Sequence, residues 1–418
     1  MSYELYRIED LTRAGLHGRC VFVRVDFNVP MQGSRVLDDT RIRESLPTLQ
    51  TLREAGARLL VASHRGRPKG RVVPELSLEP LLPAFGAALG TSVGFVAECA
   101  GEAVRAAAEA LEPGAVCLLE NLRFHAGEEA GDDDFARRLA EPCDVYVGEA
   151  FGTAHRAHAS ISGVPRHTEH RAAGKLMVRE AEVLGGLLEA PERPYAALLG
   201  GAKVSGKIDT LQRLIEDVDL LLIGGGMANP FLAAQGHRLA ASLVEQDRIE
   251  IASRILQRCD ERGVQVLLPV DLRVTRDLED PTQGLRTVSV AAGDDRLFDL
   301  EAGELAADIG DRTAQRFAAA LEEAATVFWN GPMGVFETPP FDQGSRAVAE
   351  AVARCGGFSV IGGGETVAAA AAAGVLDRIG HVSTGGGASL ALLAGKPMPG
   401  LEALLRELPS PSKPEEET

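Results

Sequence analysis

The sequence predicts an α/β protein made of two doubly wound, Rossmann-like parallel-sheet domains that are joined by a helix. Short apolar runs alternate with segments whose apolar residues recur at helical spacing, and this alternation is typical of parallel sheets covered by helices on both faces. The 418 residues exceed one ordinary core and fit two domains of about 200 residues each. An apolar fraction of 45% with 25% charged residues is typical of globular proteins and argues against disorder.

The N-terminal half contains four apolar runs that we interpret as buried strands. Helical spacing appears between them, for example over residues 41–56 and 132–142. The four runs are CVFVRVDF (20–27), ARLLVASH (57–64), AVCLLENLRF (115–124) and CDVYVGEAF (143–151).

The C-terminal half repeats this scheme after an amphipathic segment, 175–190, that we interpret as the inter-domain helix. We therefore expect a first domain over 1–174 and a second over 191–395, with 396–418 either packed back on the first domain or disordered. The Pro- and Glu-rich tail 407–418 is typical of disorder. The strand candidates of this half are YAALLGG (195–201), VDLLLIGGG (218–226), VQVLLPVD (264–271), ATVFWNG (325–331), FSVIGGG (358–364) and HVSTGGG (381–387).

Composition excludes several classes of protein. No apolar run approaches the roughly 18 residues of a membrane span, and the first residues lack the apolar core of a secretory signal. The formal charge of −17 makes nucleic acid and anionic membranes unsuitable partners. Six cysteines without a CxxC pair indicate reduced thiols, neither a disulfide framework nor a zinc site. We expect a cytoplasmic protein.

Three segments share one form, in which strand-type residues are followed by three glycines and then by a helix. They are residues 221–235, 359–374 and 381–395. Glycines at the carboxyl end of a strand let an anion approach the backbone, and the next helix offers free N–H groups. A single such turn serves close packing about as often as it serves binding, but three in one domain indicate a phosphate or nucleotide ligand.

A fourth turn, LLGGAKVSGKID (198–209), carries two lysines four residues apart. Residues 201–207 fit GxxxxGK, but Ile208 stands where a P-loop needs Ser or Thr, so we reject a P-loop. Lys203 and Lys207 would share one face if the segment were helical. A solvated basic face is the alternative, and it is less favoured directly after a double-glycine strand end.

Basic residues concentrate in the N-terminal half in four short stretches, 38–43, 63–71, 120–125 and 152–159, each next to a predicted strand. Each stretch alone is more often a surface charge, and His64 or His158 alone is as often structural as it is a ligand. Together they indicate a second anionic ligand, because Arg suits phosphate and carboxylate. Asp26 and Asn28 at the end of the first strand form either a turn or a site for a substrate hydroxyl.

Together these segments resemble the phosphoglycerate kinase family in order and spacing, over roughly residues 24–404. The motifs are RVDFNVP, DDTRI, SHRGRPKG, ENLRFHAGEE, AFGTAHRAH, GGAKV, IGGGMA, LLPVD, WNGPMGVFE, IGGG and STGGGASL. The resemblance implies a glycolytic enzyme that transfers a phosphoryl group reversibly from 1,3-bisphosphoglycerate to ADP with Mg²⁺, giving 3-phosphoglycerate and ATP. It also implies a monomer of two lobes that closes a hinge.

The same resemblance implies roles for individual residues. Those implied for the glycerate substrate are Asp26, Phe27, Asn28, Arg41, His64, Arg65, Gly66, Arg67, Arg123 and Arg156. Those implied for the nucleotide are Gly201, Lys207, Gly225, Asn330, Pro332, Val335, Glu337, Gly363, Gly364, Glu365 and Thr366, with Glu365 also as the metal ligand. Those implied for catalysis are Arg41, Lys203, Lys207 and Gly386.

The chain departs from the family pattern at a few positions. Glu365 replaces the usual Asp of the GGGDT turn, and its carboxylate is longer by one methylene. The other departures are Arg65, Gly148, Glu149, Lys175, Ala306 and Ala391. They leave open a weakly active paralogue with a binding or regulatory role. The glycine turns also admit an NAD-dependent dehydrogenase, although GxGxxG is missing after the first strand.

Overall fold

The computed structural model describes residues 3–290, 298 and 300–406, and the tail 407–418, for which we predict disorder, lies outside them. The chain divides into two compact units. Unit 1 contains Met1–Gly185 and Lys396–Thr418, and unit 2 contains Gly186–Gly395. The border lies within the helix predicted over 175–190. None of the helices in the described ranges has the length and apolar character that a membrane span requires.

Unit 1 is built around a six-stranded parallel sheet in the order β5-β6-β4-β1-β7-β8, with a separate β2-β3 hairpin. All six residues of β1 are buried, which is why its sequence reads as a continuous apolar run interrupted only by Arg24. The strands are β1 (Cys20–Val25), β2 (Met31–Gln32), β3 (Arg35–Val36), β4 (Arg58–Ala62), β5 (Gly94–Val96), β6 (Val116–Leu119), β7 (Val145–Glu149) and β8 (His170–Ala173).

A side-chain cap starts one helix of unit 1. The side chain of Asp132 accepts a hydrogen bond from the Phe135 amide, and the helix begins at the next residue. The helices are α1 (Ile8–Ala14), α2 (Thr40–Glu54), α3 (Leu82–Leu89), α4 (Glu102–Ala110), α5 (Ala126–Ala130) and α6 (Asp133–Ala140), and α7 (Lys175–Glu189) contains the border between the units.

Unit 2 repeats the architecture with a parallel sheet in the order β11-β10-β9-β15-β16-β17. The prediction of two doubly wound parallel sheets is therefore confirmed. The strands of this sheet and of a smaller one are β9 (Tyr195–Leu199), β10 (Leu220–Ile223), β11 (Gln265–Leu267), β12 (Asp271–Thr275), β13 (Arg286–Ser289), β14 (Leu305–Ile309), β15 (Thr326–Asn330), β16 (Phe358–Gly362) and β17 (His381–Ser383).

The smaller sheet of unit 2 corrects one prediction. Residues 264–271 do not form one strand, because β11 ends at Leu267 and β12 begins at Asp271. Pro269 lies between them and cannot donate to a strand ladder. Strand β12 then pairs antiparallel with β13 and β14, an arrangement that alternation of strands and helices does not predict.

The helices of unit 2 are α8 (Ile208–Leu214), α9 (Asn229–Ala234), α10 (Ile249–Arg262), α11 (Asp311–Glu322), α12 (Gln343–Arg354), α13 (Gly364–Ala372) and α14 (Gly387–Leu393). The chain then returns to unit 1 with α15 (Pro399–Glu402). There Leu405 forms an antiparallel bridge with Leu5, and the Gly400 amide donates to the Ala154 carbonyl at 2.8 Å. The described part of the C-terminal segment thus packs on unit 1.

Candidate active site

In unit 1 three basic stretches follow the carboxyl ends of β4, β6 and β7, the edge at which doubly wound sheets bind ligands, and the fourth, 38–43, lies after the β2-β3 hairpin at the start of α2. Asp26 comes directly after β1, and its Oδ2 lies 2.6 Å from the Arg41 Nη1. His64 follows β4, and its Nδ1 lies 3.9 Å from the Asp26 Oδ1. The structure therefore brings three of the predicted residues into one cluster.

Burial sets the charge state of this cluster. Burial lowers the pKa of His64 well below its usual range, so the imidazole is neutral at pH 7. Burial would raise the pKa of Asp26, but His64, Arg41 and Arg24 outweigh it and hold the pKa below its usual value. Because His64 is neutral at pH 7, the charges of Arg41 and Arg24 keep Asp26 ionised there.

Arg24 is a residue that sequence reasoning missed. It is fully buried within β1, where its Nε donates to the Ser160 Oγ at 2.8 Å. The same hydroxyl donates to the Glu128 Oε1 at 2.6 Å, and Glu128 is also fully buried. A charged residue inside a buried strand needs a partner. That rule would have singled out Arg24 but not Glu128, which is distant in sequence.

The loop after β4 is fixed by amide side chains. The Asn28 Oδ1 accepts a hydrogen bond from the Gly66 amide at 3.0 Å, and the Arg123 Nη1 donates to the Gly66 carbonyl at 2.8 Å. Asn121, which the sequence reasoning did not assign, accepts from the amides of Arg65 and Arg123 and donates to the Arg65 carbonyl at 2.7 Å. These contacts hold the loop in one conformation beside β1 and β6.

The predicted residues differ in how they can reach a ligand. Arg67 is exposed and Arg156 is half-buried. The Arg65 side chain is directed to the Ser77 carbonyl, 3.2 Å from its Nη1. The side chain of Phe27 lies in the core against Phe85, with ring centroids 4.9 Å apart, so it does not line the site.

Three buried nitrogen atoms in this basic region have no hydrogen-bond partner within the described residues: the Arg123 Nε, the His155 Nδ1 and the His158 Nδ1. The Arg123 Nε lies 3.4 Å from the Glu129 Oε1, which leaves that pair weak. Burial and the nearby guanidinium groups lower the pKa of His158 to about 3. Buried nitrogens without a partner beside several arginines are suited to an anion when each imidazole carries its proton on Nδ1.

In unit 2 the loops after β9 and β15 interlock through backbone hydrogen bonds. The Gly200 amide donates to the Asn330 carbonyl at 3.0 Å, and the Gly201 amide donates to the Pro332 carbonyl at 2.8 Å. Gly331 has a φ of +100°, and a Cβ there would lie 2.2 Å from the Gly200 carbonyl oxygen. Only glycine allows this approach.

Lys203 and Lys207 do not share a helical face, because the segment that carries them is not helical. Helix α8 begins at Ile208, after Lys207. The Lys207 Nζ donates to the carbonyls of Gly200 at 2.6 Å and Asn330 at 3.0 Å, whereas Lys203 is exposed. Burial lowers the pKa of Lys207 to about 8, although Glu365 opposes that shift.

Glu245 holds the turn that carries Lys203. Its Oε2 accepts hydrogen bonds from the amides of Val204 at 2.7 Å and Ser205 at 3.1 Å. Burial would raise the pKa of Glu245, but these bonds and the Lys203 charge lower it overall. No sequence motif pointed to this residue.

A cavity of about 490 Å³ opens beside the same loops, between the parallel sheet and the antiparallel sheet of unit 2. Its walls are mainly apolar, and they include Ala306, one of the departures from the family pattern. Six predicted nucleotide residues line it: Gly201, Gly225, Pro332, Val335, Glu337 and Glu365. An apolar slot with a few polar groups at its mouth is typical of nucleotide and cofactor sites.

The remaining predicted nucleotide residues support the cavity or flank it. The Asn330 Nδ2 donates to the Gly362 carbonyl at 2.7 Å, and the Thr366 Oγ1 accepts from the Gly331 amide at 2.6 Å. Gly363 has a φ of +94° and precedes α13, which begins at Gly364. Gly386 also has a positive φ, and a Cβ there would meet open space.

Asp308 is a further cavity residue that sequence reasoning missed. Its Oδ2 lies 3.0 Å from the Arg273 Nη1 and accepts from the Gly344 amide at 2.8 Å. The sequence could have pointed to Asp308, because it is an isolated aspartate near the carboxyl end of the otherwise apolar strand β14.

Comparisons with known proteins identify the family. The model of the phosphoglycerate kinase family matches residues 8–396. The phosphoglycerate kinase of Moorella thermoacetica is 51% identical over 389 residues, which cover 93% of this chain and 97% of the relative. That of Desulforudis audaxviator is 50% identical over 388 residues, covering 93% of this chain and 96% of the relative.

Solved structures agree with these relatives. The phosphoglycerate kinase of Coxiella burnetii is 38% identical with a TM-score of 0.84, covering 96% of this chain and 98% of that one. That of Pyrococcus horikoshii is 32% identical with a TM-score of 0.82 and the same coverage. The chain therefore belongs to the phosphoglycerate kinase family and has its enzyme activity, phosphoryl transfer between a glycerate phosphate and a nucleotide.

Proposed function

We propose that the basic region of unit 1 binds 3-phosphoglycerate and 1,3-bisphosphoglycerate. The observation that carries this assignment is the set of unpaired buried nitrogens on Arg123, His155 and His158 among fixed guanidinium groups. Phosphate and carboxylate oxygens would supply the missing acceptors. Asp26 would accept from a hydroxyl of the glycerate, as it accepts from the Asn28 amide at 3.2 Å.

The unit 2 cavity would hold ADP or ATP. Its apolar walls suit the base, and the glycine-lined loops after β9, β15 and β16 suit the phosphates. Lys207, with its Nζ fixed by two carbonyls, would contact the phosphate chain.

Magnesium is the expected metal ion. Among the described residues no three His, Cys, Asp or Glu side chains form a metal cluster. This fits Mg²⁺, which takes one or two carboxylates together with substrate phosphates and water. Glu365 is exposed in the first turn of α13 and lines the cavity, so it would be the protein ligand. When bound, the ion would neutralise phosphate oxygens.

The chemistry requires no general base. In the direction that consumes ATP the nucleophile is the carboxylate of 3-phosphoglycerate, which is ionised at pH 7. Catalysis can then depend on position and on neutralising the oxygens of the moving group. We assign that neutralisation to Arg41, Lys203, Lys207 and the backbone of Gly386.

A coupled assay with 3-phosphoglycerate and Mg·ATP tests these assignments. We expect turnover by the purified chain, and the Mg²⁺ dependence of Glu365→Asp should differ from that of the parent if Glu365 is the ligand. Glu350→Asp, on α12 and outside the cavity lining, is the matched control. An unchanged Mg²⁺ dependence in Glu365→Asp would remove Glu365 from the metal site. We further propose that the protein is cytoplasmic and a monomer. Light scattering would check the monomeric state.

A further inference from the structure

Two cysteines meet at the amino end of the unit 1 sheet, away from the basic region. The Cys20 and Cys143 sulfur atoms lie 3.9 Å apart. Cys20 is the first residue of β1 and is 1% exposed, while Cys143 precedes β7 and is half-buried. All six cysteines lie in the described part of the chain, where no other pair shows a sulfur–sulfur contact: Cys99, Cys117 and Cys355 are directed to backbone carbonyls, and Cys259 is buried.

The backbone holds the two residues close together. The Asp144 amide donates to the Cys20 carbonyl at 2.8 Å, and the Cys20 amide donates to the Asp144 Oδ2 at 2.8 Å. Val21 and Val145 are register partners in adjacent parallel strands, so Cys20 is level with Asp144 and Cys143 lies one residue before that level. A strand spacing of about 4.8 Å and an offset of one residue, about 3.3 Å, give a Cα separation of roughly 6 Å, which a disulfide can bridge. The bond therefore needs a side-chain rotation and no rearrangement of the sheet.

The surroundings make the two thiols unequal. The hydrogen bond with Cys143 lowers the pKa of Cys20, and Arg58 on the neighbouring strand adds to this against the effect of burial. Burial raises the pKa of Cys143. A thiolate is the nucleophile in thiol oxidation, so this asymmetry favours Cys20 as the first sulfur to react.

We propose that Cys20 and Cys143 form a reversible intramolecular disulfide when the protein meets a hydroperoxide. The Cys20 thiolate attacks one peroxide oxygen, the O–O bond breaks, and the hydroxide that leaves takes up a proton to become water. Cys143 then loses its proton and attacks the Cys20 sulfur, forming the S–S bond while the S–O bond breaks and a second water leaves. Two thiols and one hydrogen peroxide thus give one disulfide and two waters, and a dithiol reductant reverses the change by exchange.

The location predicts a stabilising modification. The crosslink joins residues 123 positions apart and ties β1 to β7, which restricts the unfolded chain. Asp26 follows the carboxyl end of β1, six residues after Cys20 and about 20 Å from it along the strand. Oxidation should therefore leave the basic region undisturbed.

The full-length protein treated with hydrogen peroxide at a small molar excess provides the test. We expect the intact mass to fall by two hydrogen atoms, a peptide pair that contains Cys20 and Cys143, and full reversal by dithiothreitol. The apparent Tm should rise by several degrees, and kcat should stay within about twofold of the reduced protein. Cys117→Ser is the matched control and should crosslink as the parent does.

Single variants test the order of events. In Cys143→Ser a sulfenic acid should accumulate on Cys20 and react with dimedone, whereas Cys20→Ser should give little adduct on Cys143. The parent protein alone can overturn the proposal. A parent protein that shows only added oxygen atoms, or that links other cysteines, would contradict the disulfide between Cys20 and Cys143. Loss of activity in the crosslinked protein would contradict the inference that the crosslink leaves the basic region undisturbed.

Discussion

The two regions that we propose as ligand sites are built in opposite ways. The basic region of unit 1 depends on side chains that are buried and bonded to one another, as Arg24 is to Ser160 and Ser160 to Glu128. The cavity of unit 2 depends on backbone, with glycine loops such as Gly331 against Gly200 and apolar walls. Fixing cations for a small anion requires desolvated charge, which couples binding to the stability of unit 1. A base and a phosphate chain need only shape and N–H groups. Substitutions in unit 1 should therefore damage folding, and those in unit 2 should mainly change binding or turnover.

The largest effect on turnover should follow Lys203→Ala in unit 2. Because the side chain is exposed, its loss should not change the Tm. The value of kcat should fall by about 100- to 1,000-fold, as when one charge-stabilising group is removed from an active site. Steady-state kinetics and thermal melts measure both quantities, and Arg238→Ala, another exposed cation of unit 2, is the control. A kcat within tenfold of the parent would remove Lys203 from the catalytic set.

The largest effect on stability should follow Arg24→Met in unit 1. Removing the guanidinium leaves Glu128 buried without its cation, which should lower the free energy of unfolding by about 3–5 kcal/mol. Arg105→Ala breaks the exposed pair with Glu141 and should cost less than about 1 kcal/mol. Urea unfolding of each variant gives the comparison. Equal costs for the two variants would show that the buried network does not stabilise unit 1.

Such networks mark the limit of what sequence reasoning reaches. The strands of the two parallel sheets, with β5 and β8 excepted, the glycine turns and α7 could be predicted because their patterns are local, within about fifteen residues. Arg24 and Ser160 lie 136 positions apart, and no local pattern near either residue predicts their contact. Glu245 is likewise 40 positions from the turn that it holds. The antiparallel sheet was missed for another reason, since Pro269 was available as a signal that the run 264–271 could not be one strand.

A smaller effect is a difference between the two regions in how ligand affinity depends on pH. Lys207 has a pKa of about 8 in the absence of ligand and loses its charge above that pH, so nucleotide affinity should fall by up to about tenfold between pH 7 and pH 9. Glycerate binding should stay level, because arginines remain charged and His64 is already neutral. Calorimetric titrations at a series of pH values measure both affinities. Lys207→Arg should abolish the fall, and its persistence in that variant would assign it to another group.

The smallest effect should come from Ala306→Gly, which restores the family's usual residue in the cavity wall. We expect the KM for the nucleotide to change by less than about threefold, with a loss of stability of roughly 0.5–1 kcal/mol because glycine weakens a strand interior. Kinetics with ADP and urea unfolding measure the two effects. A tenfold gain in nucleotide affinity would mean that the Ala306 methyl group restricts the cavity.

The return of residues 396–406 to unit 1 has a consequence during synthesis. A ribosome releases the first 185 residues early, but the partner of Leu5 and the segment that contacts Ala154 emerge only after all of unit 2. Domains commonly fold in the order in which they are made. Here the domain that starts first is completed last, so the nascent chain carries an unfinished unit 1 while unit 2 has every residue it needs.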